Sequence, residues 1–86
     1  MAIVPGSSNQ QGAGAEEFTA AGAANGVTAT ITNNNASSVY TLPTLAIAGN
    51  AVTVNYLDPA ATETLTITIS NTENGDVGSV ILTVIP

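Results

Sequence analysis

Thr64-Leu65-Thr66-Ile67-Thr68-Ile69-Ser70 decides the fold. Leu65, Ile67 and Ile69 share one parity; Thr64, Thr66, Thr68 and Ser70 share the other. Strict alternation over this length is the pattern of a strand with one covered face and one wet face. Threonine suits the wet face, because its β-branch fits the pleat. The same period appears upstream. Val27, Ala29 and Ile31 alternate with Thr28, Thr30 and Thr32, and Val52, Val54 and Tyr56 alternate with Thr53, Asn55 and Leu57. No segment shows the i, i+3, i+4 spacing of an amphipathic helix. The alanine-rich stretch from Ala20 to Ala24 is interrupted by Gly22 and stopped by Asn25-Gly26, and reads as a loop.

The segment Val77 to Ile85 departs from this rule. Val80, Leu82 and Val84 lie on one parity, and Ile81 and Ile85 lie on the other. Such a strand is either central in a covered sheet or has its second face on another subunit. Turn signals separate the strands: Asn25-Gly26 and Asn74-Gly75 as type I′ or bulge turns, then Asn33-Asn34-Asn35, Ala48-Gly49-Asn50 and Asp58-Pro59. Strands are expected over 16–20, 27–33, 38–42, 44–48, 51–57, 63–70 and 77–85. Residues 1–15 are low in complexity, without an apolar period, and read as a flexible N-terminal arm preceding a domain over 16–86.

About seven short antiparallel strands with turns between them predict an all-β fold, an immunoglobulin-like β-sandwich, with a small barrel or jelly roll as the alternative. There is no cysteine and no tryptophan, so an antibody-type domain is excluded. At 86 residues the core is modest, and no disulfide reinforces it.

Charge narrows the function. The chain has no Lys, Arg or His and six Asp and Glu, for a net charge of -6. Nucleic acid is set aside, because phosphate contact depends on cationic side chains. An anionic membrane surface would repel the chain, and no apolar run is long enough to span a bilayer. Catalysis has few resources. Glu16 and Glu17 are adjacent and would point to opposite faces of a strand, and no serine has a His or Lys to activate it. Asp58 and Glu63 flank one loop but would need a concave pocket to cooperate. No enzyme and no cofactor is expected. Glu73, Asn74 and Asp76 put three oxygen-bearing side chains around Gly75. They lack the spacing and the final Glu of a calcium loop, so they read as a polar hairpin tip and only weakly as a metal site.

Val27-Thr-Ala-Thr-Ile-Thr-Asn33, Ala51-Val-Thr-Val-Asn-Tyr-Leu-Asp-Pro59 and Thr64-Leu-Thr-Ile-Thr-Ile-Ser-Asn71 together resemble bacterial and phage immunoglobulin-like modules. The resemblance covers most of residues 27–86. It implies a sandwich used for display, adhesion or capsid decoration, with no catalytic residue to carry over. Met1-Ala2-Ile3-Val4-Pro5 has neither a basic n-region nor a long apolar h-region, so the expectation is synthesis in a host cytoplasm and a place on the capsid exterior. The expected function is a virion structural protein, a tailed-phage head decoration or cement protein that docks through the N-terminal arm, residues 1–15, and the apolar second face of 77–85. Its partner would be the basic surface of a major capsid protein, met by these carboxylates. Ile3, Val4, Tyr40, Ile81 and Ile85 are the candidate interface residues. Tyr56, on the inward parity, is expected in the core. A homo-oligomer is expected because a small core gains stability by association; a trimer would match capsid symmetry. The alternatives are an extracellular adhesion or carbohydrate-contacting module, which the scarcity of aromatics disfavours, and a tail or filament subunit built by strand addition.

Overall fold

A computed structural model describes residues 1–86. The chain forms β1 (Ile3–Val4), β2 (Ser7–Gln11), β3 (Gly14–Ala20), β4 (Val27–Asn33), β5 (Thr44–Ala48), β6 (Ala51–Tyr56), β7 (Glu63–Asn71) and β8 (Val77–Ile85), with no helix. Two four-stranded sheets pack as a β-sandwich. One has the order β1-β3-β6-β5, the other β2-β8-β7-β4. All pairings are antiparallel except β2 with β8, which run parallel.

The alternation read from the sequence sets the inner layer. Leu65, Ile67 and Ile69 of β7 and Leu82 and Val84 of β8 are fully buried, and they face Phe18 of β3 with Val52 and Val54 of β6. Each of these side chains contributes about 1.5–3 kcal/mol by leaving water. Phe18 fills the middle of the core, paired in register with Val52.

Two expectations are corrected. The strand expected over 38–42 is absent, and this segment is an irregular crossing between the sheets. Its backbone hydrogen bonds are local: the Ser38 amide donates to the Asn35 carbonyl, Asn35 Oδ1 accepts from the Ser37 amide and Ser38 Oγ accepts from the Tyr40 amide. Such Asx and Ser turns compete with ladder formation, and Pro43 follows directly. The segment expected as a free arm over 1–15 is built into both sheets. β1 pairs with the end of β3, and β2 pairs with β8 over Ser7↔Ile81 through Gln11↔Ile85. The sandwich therefore has eight strands. The Asn-Gly turns also lack type I′ geometry. No residue other than glycine has a positive φ, so the left-handed conformation falls on Gly26 and Gly75 alone.

Ile3 explains how so short a first strand is held. It is buried, with its side chain lying across the interior against Gly78 of the opposite sheet. A Cβ on Gly78 would stand 2.8 Å from the Met1 carbonyl oxygen and 2.9 Å from Ile3 Cγ1. The missing side chain is the slot that Ile3 occupies.

Two measurements test this seating. Gly78→Ala should lower stability by about 1–3 kcal/mol, the usual cost of overpacking, as β1 is displaced. Removing residues 1–11 should cost at least the roughly 1.5–3 kcal/mol of Ile3 burial. A denaturant midpoint unchanged by the deletion would show that the segment adds nothing to the fold.

Candidate interaction surface

The outward face of the β2-β8-β7-β4 sheet is a grid of hydroxyls and aliphatic groups. Register places Thr28, Ser70 and Val77 in one row, Thr30, Thr68 and Ser79 in the next, then Thr32, Thr66, Ile81 and Ser7, then Thr64, Thr83 and Asn9, with Ile85 beside Gln11 at the end. None of the six carboxylates belongs to this face. Val77, Ile81 and Ile85 stand on it 54%, 38% and 41% exposed. The second apolar parity of β8 is thus open to solvent in the single chain.

The carboxylates sit around the molecule. Glu17 is on the outward face of the other sheet, beside Thr53. Glu73 and Asp76 occupy the β7–β8 turn, while Asp58 and Glu63 bracket the β6–β7 connection at the opposite pole. The Glu63 carboxylate accepts from Ser38 Oγ. Glu16 points inward and closes one flank of the sandwich. Its carboxylate accepts from Ser8 Oγ and, at 2.6 Å, from Gln10 Nε2, and Tyr56 Oη donates to Gln10 Oε1 at 3.2 Å. These four side chains tie β2 to β3 and β6 across the gap between sheets. Gly14 belongs to the same arrangement: a Cβ there would lie 2.7 Å from Tyr56 Oη. The polar alternation of Ser8 and Gln10 carried no apolar signal, so this network escaped sequence reading.

The residues singled out from the sequence are scattered. Ile3 is in the core, whereas Val4, next to it, is 61% exposed. Tyr40 is half-buried against the core cluster and donates its hydroxyl to the Leu57 carbonyl at 2.6 Å, far from β1. Only Ile81 and Ile85 share one surface. Around Gly75 two of the three side chains already have protein partners. Glu73 accepts from Asn25 Nδ2, Asn74 Oδ1 accepts from the Asp76 amide at 2.9 Å, and the buried Asn71 Oδ1 accepts from the Glu73 amide at 2.9 Å. No group of three or more acidic side chains is placed to share a cation.

No family model, curated protein or solved structure matches this chain. What the surface can do rests on its geometry.

Both tyrosines have pKa values raised above the ordinary 10.0. For Tyr56 burial is the main cause and the nearby Glu16 charge adds to it. For Tyr40 burial also dominates, opposed by the hydrogen bond to Leu57 and reinforced by Glu63 and Asp58. An acid whose neutral form the fold favours ionises first in the unfolded chain. Its stabilising effect is whole below pH 10 and is lost as pH rises beyond it. No other side chain of this protein titrates above neutral pH, since Lys, Arg and Cys are absent. Stability should therefore fall in the alkaline range above pH 10, and the double variant Tyr40→Phe/Tyr56→Phe should show a flat profile there. An equally steep fall in the double variant would remove the tyrosines as the cause.

Proposed function

We propose that this protein is a non-enzymatic structural module of a virion, an immunoglobulin-like sandwich that decorates or cements a phage capsid through the uncharged face of the β2-β8-β7-β4 sheet. Reading the eight strands in order as A, A′, B, C, D, E, F and G puts ABED opposite A′GFC, which supports the immunoglobulin-like assignment. The observation that carries the docking surface is the placement of Val77, Ile81 and Ile85, exposed in a field of Thr, Ser and Asn, on a face without a carboxylate. Interface centres are depleted of charge and carry charge at the rim. Here Glu73 and Asp76 bound one end of the face, and Asp58 and Glu63 bound the other.

The chain contributes no cationic side chain, so its rim is to be met by basic groups of the partner, and a Lys/Arg-bearing capsid subunit supplies them. Synthesis in the host cytoplasm and residence on the capsid exterior complete the reading. The N-terminal segment acts by holding the face in shape, since β2 is the strand beside β8.

Co-sedimentation with capsids tests this. The wild type should pellet with them and should be released progressively by salt, as steering by rim charge requires. Ile81→Asp combined with Ile85→Asp should reduce binding at least tenfold while the far-ultraviolet spectrum stays that of the wild type. Undiminished binding by that variant would exclude this face as the docking surface.

A further inference from the structure

The two flanks of the sandwich are finished differently. On one, the chain crosses from β1 to β2 between the sheets, Pro5 interrupts the pairing, and the Ser8–Gln10–Glu16–Tyr56 network seals the gap. Short strands, proline and inward polar groups are the ways natural sheets blunt an edge. The other flank, bordered by β4 and β5, is finished only in part: Pro43 precedes the five-residue β5 and Asn33 ends β4 on the inward parity, but the body of β4 carries no such feature. β4 is seven residues long, lies in unbroken register with β7, and contains no proline and no charge. No Asp or Glu occurs anywhere from Phe18 to Leu57, the stretch that supplies this whole flank.

The backbone direction at β4 follows from its ladder. The Asn34 amide donates to the Thr64 carbonyl and the Thr72 amide donates to the Gly26 carbonyl, at the two ends of the same antiparallel pairing. In an antiparallel ladder bonded and non-bonded pairs alternate. The even-numbered residues therefore face β7, and the N–H and C=O groups of Val27, Ala29, Ile31 and Asn33 point out of the sheet. The side chains of Ala29 and Ile31, although on the inward parity, are only partly covered, and Ile47 of β5 beside them is 46% exposed. Residues of the same parity on β6 and β7, such as Val52, Val54, Leu65 and Ile67, are fully buried.

We infer that β4 is a self-pairing edge, and that a second copy of this chain joins it antiparallel about a two-fold axis through Thr30. In that register Ala29 faces Ile31 of the second copy and Val27 faces Asn33, so every outward amide meets an outward carbonyl. The outward row becomes Thr28, Thr30 and Thr32 against Thr32, Thr30 and Thr28, a set of like pairs that threonine tolerates well. An isologous contact requires this self-complementarity. Charge selects the occupant: two copies at -6 each meet with least repulsion on the flank whose strands carry no carboxylate, Glu63 and Glu73 being held at its two ends by Ser38 and Asn25. The inference stands on the edge itself and does not need the capsid reading. It does enlarge the docking face. Four strands of 5, 9, 9 and 7 residues, about 4.8 Å apart, span roughly 480 Å², below the ~800 Å² per partner of a standard interface. A paired, eight-stranded face exceeds that size.

Cysteine scanning tests the register, because the chain has no thiol of its own. Thr30 would face its own copy in a non-bonded pair, where Cα atoms lie about 4.5 Å apart, within disulfide range. Under mild oxidation Thr30→Cys should cross-link at least tenfold faster than Thr28→Cys or, one strand in from the edge, Thr66→Cys. Sedimentation of the wild type should give a monomer–dimer equilibrium that salt does not weaken, since screening only relieves the repulsion between two copies at -6 each. Ala29→Pro, which removes an outward amide not used by β7, should be monomeric with an unchanged spectrum; Ile31→Lys should behave alike if the proline unfolds the chain. A wild type that is monomeric at all concentrations, trimeric or fibrous overturns the inference. So do equal cross-linking rates, or faster cross-linking by Ala46→Cys at the centre of β5. Ile81→Asp/Ile85→Asp should remain dimeric, which separates failure of the edge from failure of the capsid reading.

Discussion

Six carboxylates with no cationic side chain to meet them constrain everything else in this protein. A buried carboxylate without a partner would cost several kcal/mol, so each one must be solvated or held by neutral donors. Five are distributed over the poles and the outward face of one sheet. The sixth, Glu16, is half-buried and is satisfied by the hydroxyl of Ser8 and the amide of Gln10. With charge confined to these places, cohesion falls to aliphatic packing between the sheets and to the backbone ladders. The opposite sheet is left with a continuous outer surface of threonine and isoleucine.

That division explains why part of the architecture can be read directly from the chain. Where a strand is central, its inward parity must be apolar, and Thr64–Ser70 or Val52–Tyr56 shows the period without ambiguity. β2 obeys a different rule. It lies at an edge, paired in parallel with β8, and its inward residues Ser8 and Gln10 close a flank with hydrogen bonds in place of aliphatic volume. Nothing in Ser7-Ser8-Asn9-Gln10-Gln11 distinguishes that role from a solvated tail. β1 is similarly silent, because two residues cannot display a period, and the glycine that receives Ile3 stands 75 positions away at Gly78. In the other direction, Val39-Tyr40-Thr41-Leu42 has the composition of a strand, yet Val39 is fully exposed and the local Asn35 and Ser38 turns hold the backbone.

The candidate surface was legible in the same partial way. Apolar residues on both parities of β8 announced a second face to be covered, and Ile81 and Ile85 do stand on it together. Ile3 could not be told from a surface residue by composition, since its burial depends on a neighbour brought in by the fold. Tyr40 remains separate from both, tethered to Leu57 at one pole. The open β4 edge needed the topology: only with β4 and β5 placed last in their sheets do the charge-free strands between Phe18 and Leu57 border a single flank.

The parallel pairing of β2 with β8 has a mechanical consequence. These strands lie next to the two chain ends, Met1 near one pole and Pro86 at the other, so tension between the ends pulls the two strands past each other along their length. The load falls in shear on all the rungs from Ser7↔Ile81 to Gln11↔Ile85 at once, with the Gly12 amide to Ile85 carbonyl bond as one more. Rungs loaded together must yield together, whereas a hairpin pulled from its open end parts one bond at a time. A protein with few hydrophobic layers and no crosslink can in this way be weak to heat and still stiff to pulling.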